Sequence, residues 1–195
     1  GFSYSLDGPL DMRMDIDSKL NAKYIVDNYT RAQLLDLFKK YSDETNYAKV
    51  VDAIIKYREL KSIDTTKELA NLIADCIPGS LKRKHPAKVY FQALRIEVNN
   101  ELEILEKALS KACFKLKSQG RLAVITFHSL EDRIVKNFFR KLSEIKDLYG
   151  KDVPLSKMSK PEFKLITKKP IIPTEAEIKA NKRSHSAKLR IIEKI

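Results

Sequence analysis

Within six residues, His128 to Arg133, the chain places an imidazole, a hydroxyl, two carboxylates and a guanidinium. His128, Ser129, Glu131, Asp132 and Arg133 can accept, donate and move protons, so together they could grip a polar ligand from several sides. Their setting makes that reading stronger. Leu122 to Phe127 is a short, nearly continuous apolar run behind Gly120, and it predicts a strand buried on both faces. Ser129 then fits a helix N-cap, with Glu131 and Asp132 in the first turn. Ile134, Val135, Phe138, Phe139 and Leu142 follow at helical spacing. A buried parallel strand that runs straight into a helix puts its junction at the carboxyl edge of a sheet. Open α/β folds hold their ligands there.

Three other groupings could contribute. Asp11, Arg13 and Asp15 alternate with Leu10, Met12 and Met14. An extended segment would then show charge on one side and apolar groups on the other. It is either an ordinary amphipathic strand or a loop that presents charge to a ligand. Gln92, Arg95 and Asn99, at i, i+3 and i+7, form a polar row on one face of a predicted helix. Beside it runs an apolar stripe, Phe91, Leu94, Val98, Leu102, Leu105, Leu109, Ala112 and Leu116. This spacing predicts one helix of about 30 residues, three times an ordinary length, with a coiled coil as the plainer alternative. The last grouping, Ala180 to Arg190, carries Lys182, Arg183, Lys188 and Arg190 among small polar residues and suits contact with phosphates.

The elements that must position these groups are marked by their ends. Thr30-x-x-Gln33, Thr65-x-x-Glu68 and Thr174-x-x-Glu177 each fit a capping box. Tyr47 to Arg58 repeats at helical spacing, and Pro78-Gly79 ends the helix opened at Thr65. Residues 20 to about 80 therefore read as a bundle of short helices. The stretch from Lys146 to Lys160 reads as a loop, Phe163 to Thr167 as a strand, and Ser186 to Ile195 as a closing strand. The sheet implied by these pieces looks unfinished. With five glycines in 195 residues, the chain has no glycine-rich loop for a phosphate or a cofactor.

Composition narrows the function classes. The net charge is +12, and residues 151 to 195 alone hold twelve Lys/Arg against five Asp/Glu. Such a surface favours a polyanion, with nucleic acid the commonest. Three scattered histidines without ligand spacing argue against a metal site. Cys76 and Cys113 each fall on an apolar helical position, which fits reduced core thiols and a cytoplasmic protein. No apolar run approaches the roughly 20 residues of a membrane span.

Four segments together resemble the MraW-type 16S ribosomal RNA cytosine-N4 methyltransferases. They are Gly1-Phe-Ser-Tyr with Asp7-Gly-Pro-Leu-Asp-Met-Arg-Met-Asp15, His85-Pro-Ala-Lys with Phe91 to Asn99, Gly120 to Lys136, and Asn181 to Arg190. The chain departs from the family pattern at Val89-Tyr90, where Arg-Thr is usual. It departs again at Gln119, where a second glycine is usual, and at Lys182, where proline is usual. The change at Val89 removes a basic residue from a place where RNA could be met.

The resemblance implies an α/β fold, the C-terminal portion of a Rossmann-like class I methyltransferase sheet with an inserted helical domain. Residues 1–19 would form a segment near the active site, 20–84 the inserted domain, and 85–195 the long helix with the last strands and helices. It implies S-adenosylmethionine as cofactor, bound by strands and a glycine-rich loop expected upstream of Gly1. The substrate would be a cytidine of 16S RNA in the small ribosomal subunit, and a homodimer stays open. Chemistry fitted to position places Asp11, His128, Ser129, Glu131 and Asp132 at the target base. Arg13, Gln92, Arg95 and Asn99 would lie around them, with Arg133, Lys182, Arg183 and Arg190 on RNA. The competing expectation is a non-catalytic RNA-binding or ribosome-associated protein.

Overall fold

The computed structural model describes residues 2–42, 44–77, 85–144 and 161–195. The Pro78-Gly79 helix stop, Lys82 to Lys84 and the 146–160 connection lie outside them. The described residues form a mixed α/β protein of eight α-helices and three strands, organised as two compact units, Gly1–Glu101 and Leu102–Ile195. None of these helices is long and apolar enough to cross a membrane.

The first unit is helical. It holds α1 (Ala22–Asn28), α2 (Arg31–Tyr41), α3 (Tyr47–Arg58), α4 (Thr66–Cys76) and α5 (Ala87–Asn99). Thr30 and Thr65 close the capping boxes that their spacing predicts, each hydroxyl taking the amide three residues on while Gln33 or Glu68 reaches back. Arg58 ends α1, its Nη1 donating at 2.8 Å to the carbonyls of Val26 and Tyr29, which supplies acceptors that the helix leaves unpaired with donors. Phe38, Ile54, Leu69, Tyr90 and Leu94 are fully buried in one core, and Phe38 meets Tyr90 edge-on at 5.1 Å. Helix α5 belongs to this core, so the compact boundary falls at Glu101 rather than at the expected 84/85. Leu10 and Met12 belong to it as well, so residues before 20 are part of the same unit.

The predicted 30-residue helix is two helices. Asn100 adopts left-handed dihedrals (φ 49°, ψ 39°), and α6 (Glu101–Lys115) starts anew. Asparagine is among the few residues that tolerate this conformation, and it ends helices for that reason. The apolar stripe passes through the break without a gap, so periodicity alone could not show it.

The second unit contains most of α6, then β1 (Arg121–Thr126), α7 (Ser129–Ser143), β2 (Phe163–Leu165), α8 (Glu175–Ala180), a 3-10 turn (Lys182–Ser186) and β3 (Lys188–Lys194). The sheet order is β1-β3-β2, with β3 antiparallel to both neighbours and Val124 opposite Arg190. The expected parallel pairing of β1 is therefore not what the described strands show, since β1 is hydrogen-bonded to β3 alone. Nor is β1 buried on both faces. Leu122 and Val124 pack on a core of Leu109, Cys113, Val135, Phe139, Phe163 and Ile192, whereas Ala123 and Ile125 point away from it and Ile125 is 59% exposed. Continuous apolar sequence met a sheet that these helices cover on one side.

Gln119, in the turn before β1, has φ 65°, and its amide donates to the Lys194 carbonyl at 2.8 Å. The left-handed region strains any residue with a Cβ. Gln119→Gly is expected to raise stability by about 0.5–1 kcal/mol, net of the extra freedom glycine gains when unfolded. Urea unfolding of the two proteins checks this, and an unchanged or lower midpoint would mean that the Gln119 side chain contributes more than its backbone costs.

Candidate functional site

The junction after β1 is built by a reciprocal cap. His128 leaves the strand extended (φ −140°, ψ 166°), and its Nδ1 accepts the Glu131 amide at 3.4 Å. Glu131 Oε2 in turn accepts the amides of Phe127 at 2.8 Å and His128 at 3.2 Å. The N-cap is thus His128, and Ser129, expected in that role, is the first helical residue. Both His128-x-x-Glu131 and Ser129-x-x-Asp132 have capping-box spacing. The first wins because Asp132, a methylene shorter, is engaged elsewhere. Burial pushes the Glu131 carboxyl up, but the His128 imidazole and the two amides outweigh it and hold it below its ordinary value. His128 Nε2 is buried and lies 3.3 Å from Glu131 Oε1, off the line that a hydrogen bond needs.

Asp132 faces the sheet. Arg190 on β3 grips it twice, Nε to Oδ1 at 2.7 Å and Nη2 to Oδ2 at 3.2 Å, and Lys188 Nζ adds a contact at 3.2 Å. Asp132 and Arg190 are both buried, at 8% and 7% exposure. The Arg190 fork holds the Asp132 carboxyl well below its usual range. This pair stitches α7 to β3, so Arg190, expected on RNA phosphate, has two of its donors spent inside the protein. Arg133, Lys182 and Arg183 are exposed. Lys182 and Arg183 ride the 3-10 turn that Asn181 opens by accepting the Arg183 amide at 3.1 Å.

The first unit gathers the other expected residues around one loop. Asp11 and Arg13 pair with each other, Nε to Oδ1 at 2.7 Å and Nη2 to Oδ2 at 2.9 Å, while Arg13 Nη1 donates to the carbonyls of Ile16 and Ser18. The Asp11 carboxyl is held down by that guanidinium. Asn99 reaches the same loop from α5, its amide nitrogen donating to Met12 O and its Oδ1 accepting the Met14 amide, both at 2.8 Å. This pins Met12 in a left-handed conformation (φ 67°) with its side chain buried. The backbone is therefore not the extended ribbon that alternation suggests, although Leu10 and Met12 do point inward. Arg95 turns to Glu101, with contacts of 2.7 and 3.1 Å. Gln92 is half-buried on the same helix.

The pairing of Lys188 with Asp132 was not foreseeable from spacing, because it depends on the sheet order. The same holds for a cluster of Lys136, Arg140 and Lys168 around one cleft. There the i, i+4 spacing of the first two was the one readable signal.

Comparison with known proteins sets these details in context. The family model described as the MraW methylase family matches residues 1–195. The chain belongs to the MraW methylase family. Proteins named ribosomal RNA small subunit methyltransferase H match this member along its whole length. The one from Caldicellulosiruptor saccharolyticus is 50% identical over 196 residues, that from Carboxydothermus hydrogenoformans 49% over 197, and that from Fusobacterium nucleatum 48% over 196. The chain spans 64%, 63% and 62% of their respective lengths.

Proposed function

We propose that the chain is the RNA-facing part of an S-adenosylmethionine-dependent methyltransferase that modifies N4 of a cytidine in 16S RNA, on the small ribosomal subunit in the cytoplasm. The observation that carries this is the match of all 195 residues to the family, with relatives named for small-subunit ribosomal RNA methylation. The charge of +12 supports an RNA substrate.

The turn from β1 into α7 does not fit the cofactor. It is tight and has no glycine, and its first amides are taken by His128 and Glu131. What these residues can do is hold a base. The exocyclic amine of cytosine is a poor nucleophile because its lone pair is drawn into the ring, so positioning and hydrogen bonds to the base decide the rate. A base reaches such a pocket only from a single strand or after flipping.

We place His128 against the base, with Ser129 beside it on the first turn. Since Nδ1 accepts the Glu131 amide, the neutral ring carries its proton on Nε2 and is a donor there. Nε2 is buried beside Glu131 Oε1, so a base would reach it as that carboxylate gives way, offering an acceptor edge of cytosine, O2 or N3, rather than yield its amine proton to the ring. Glu131 and Asp132 act through the junction, by holding His128 and by fixing α7 to β3. Asp11, Arg13 and Asn99 shape the loop around Met12, while Arg95 on α5 is paired with Glu101 and Gln92 lies half-buried on the same helix. Arg133, Lys182 and Arg183 are free to meet phosphates at the surface.

Two titrations test the proposal. Calorimetry of this chain should show single-stranded 16S fragments bound and S-adenosylmethionine not bound. Transfer from labelled S-adenosylmethionine to small subunits by an active protein containing the chain should yield N4-methylcytidine on nucleoside digestion. Label on another base, or none on RNA, would overturn the assignment. The non-catalytic reading would be left ahead if the chain binds RNA and no protein containing it transfers a methyl group.

A further inference from the structure

Beyond the junction, the second unit contains a cleft of about 200 Å³ between α7, β2 and β3. Lys136 and Arg140 reach it from α7, Lys168 from the segment after β2, and Arg190 from β3. Phe139, almost wholly buried, packs among them. Arg140 has a loose i, i+4 contact of 3.3 Å with Glu144, and Arg190 is balanced by Asp132. Lys136 and Lys168 have no acidic partner among the described residues.

We propose that this cleft holds a phosphate of the RNA backbone. A chain with 38 Lys/Arg will bring cations together by chance on its surface, but three features set this group apart. It is concave, with room for a phosphate and a few waters. Its frame is fixed, since Arg190 is locked on Asp132 and Thr167 Oγ1 accepts the Ile191 amide at 2.9 Å. That bond also leaves the Thr167 hydroxyl proton to be donated, a neutral donor among cations, as phosphate recognition uses. The role expected of Arg190 on RNA thus passes to its neighbours: Arg190 builds the wall, Lys136 and Lys168 supply uncancelled charge, and Arg140 adds a guanidinium that Glu144 engages only loosely.

This inference rests on RNA being the substrate, and the test separates the two. Anisotropy of a labelled single-stranded RNA decamer is measured against the full chain, against Lys136→Ala/Lys168→Ala, and against Lys111→Ala/Lys115→Ala, an equal charge change on α6. Each lost phosphate contact lowers the slope of log affinity on log salt by about 0.7, or roughly fourfold in affinity near 0.15 M. With one phosphate lost, the cleft variant should therefore bind roughly fourfold more weakly with a slope shallower by about 0.7, while the α6 variant stays close to wild type. Melting curves confirm that both fold. Inorganic phosphate, followed by amide shifts at Thr167 and Lys168, should compete in the wild type. Equal losses in the two variants, or none in either, would overturn the cleft and leave RNA binding standing. If the wild-type chain binds no RNA, both readings fall, even should phosphate occupy the cleft.

Discussion

Replacing Asp132 by alanine is expected to destabilise the second unit by about 3–5 kcal/mol. The reason is asymmetry. Arg190 is buried at 7% exposure and its fork closes on Asp132, so removing the carboxylate leaves a largely buried charge without its partner. Removing both partners should cost much less, because a buried ion pair repays its own desolvation only in part. Arg190→Met with Asp132→Ala should therefore recover much of the loss, and a double-mutant cycle reads the coupling directly. Acid gives an independent check. The Asp132 carboxyl is depressed below its ordinary 3.8, chiefly by the Arg190 hydrogen bonds. Its folded pKa lies below the unfolded one, so the stabilisation is fully present above about pH 4 and is lost as pH falls through the folded value. The gap between wild type and Asp132→Ala should narrow over that acid range. Urea unfolding at neutral and acid pH, with hydrogen exchange at β3, measures both effects. A loss under 1 kcal/mol at neutral pH would mean that Arg190 finds water or another acceptor.

The same pair explains what the sequence could and could not reveal. The segments that carry the family resemblance turn out to be packing partners within each unit. Tyr4 stacks on His85 at 5.0 Å and meets Phe91 edge-on, and Asn99 holds the Met12 loop. In the second unit Asp132 meets Lys188 and Arg190. Motif residues far apart in the chain are thus tied together by contact, which spacing cannot show. Local signals were read well. The Thr30 and Thr65 caps, α3 at Tyr47–Arg58 and the start of β2 depend only on neighbouring residues. The failures needed information from elsewhere. Asn100 broke a helix whose stripe continued unperturbed, and β1 looked doubly buried because apolar composition does not say how many faces are covered. His128 took the cap from Ser129 because Asp132 was already committed to β3. The polar row on α5 was real, but its targets were a loop and Glu101.

The substitution that best separates structure from chemistry at the junction is His128→Asn. Histidine does two things here: Nδ1 caps α7, and buried Nε2 carries a proton without a well-aligned acceptor. Asparagine is among the strongest N-caps, so it can take the Glu131 amide while offering nothing at the place of Nε2. Stability should change by no more than about 0.5 kcal/mol, whereas His128→Ala, which also loses the cap, should cost about 1 kcal/mol. If Nε2 donates to the cytosine edge and so orients the base, methyl transfer by an active protein containing this chain should fall on the order of 100-fold with asparagine, the effect of a misplacement of about 1 Å. The loss should appear in kcat as well as in kcat/KM, because the bond holds the amine in line with the transferred methyl group. His128→Ala should transfer no faster than His128→Asn. Wild-type transfer by the asparagine variant would reduce His128 to a cap and move the search for the base-holding group to Ser129 and the loop around Met12. A stability loss equal to that of alanine would show instead that asparagine fails to cap, and His128→Ser, another strong N-cap, would then carry the comparison.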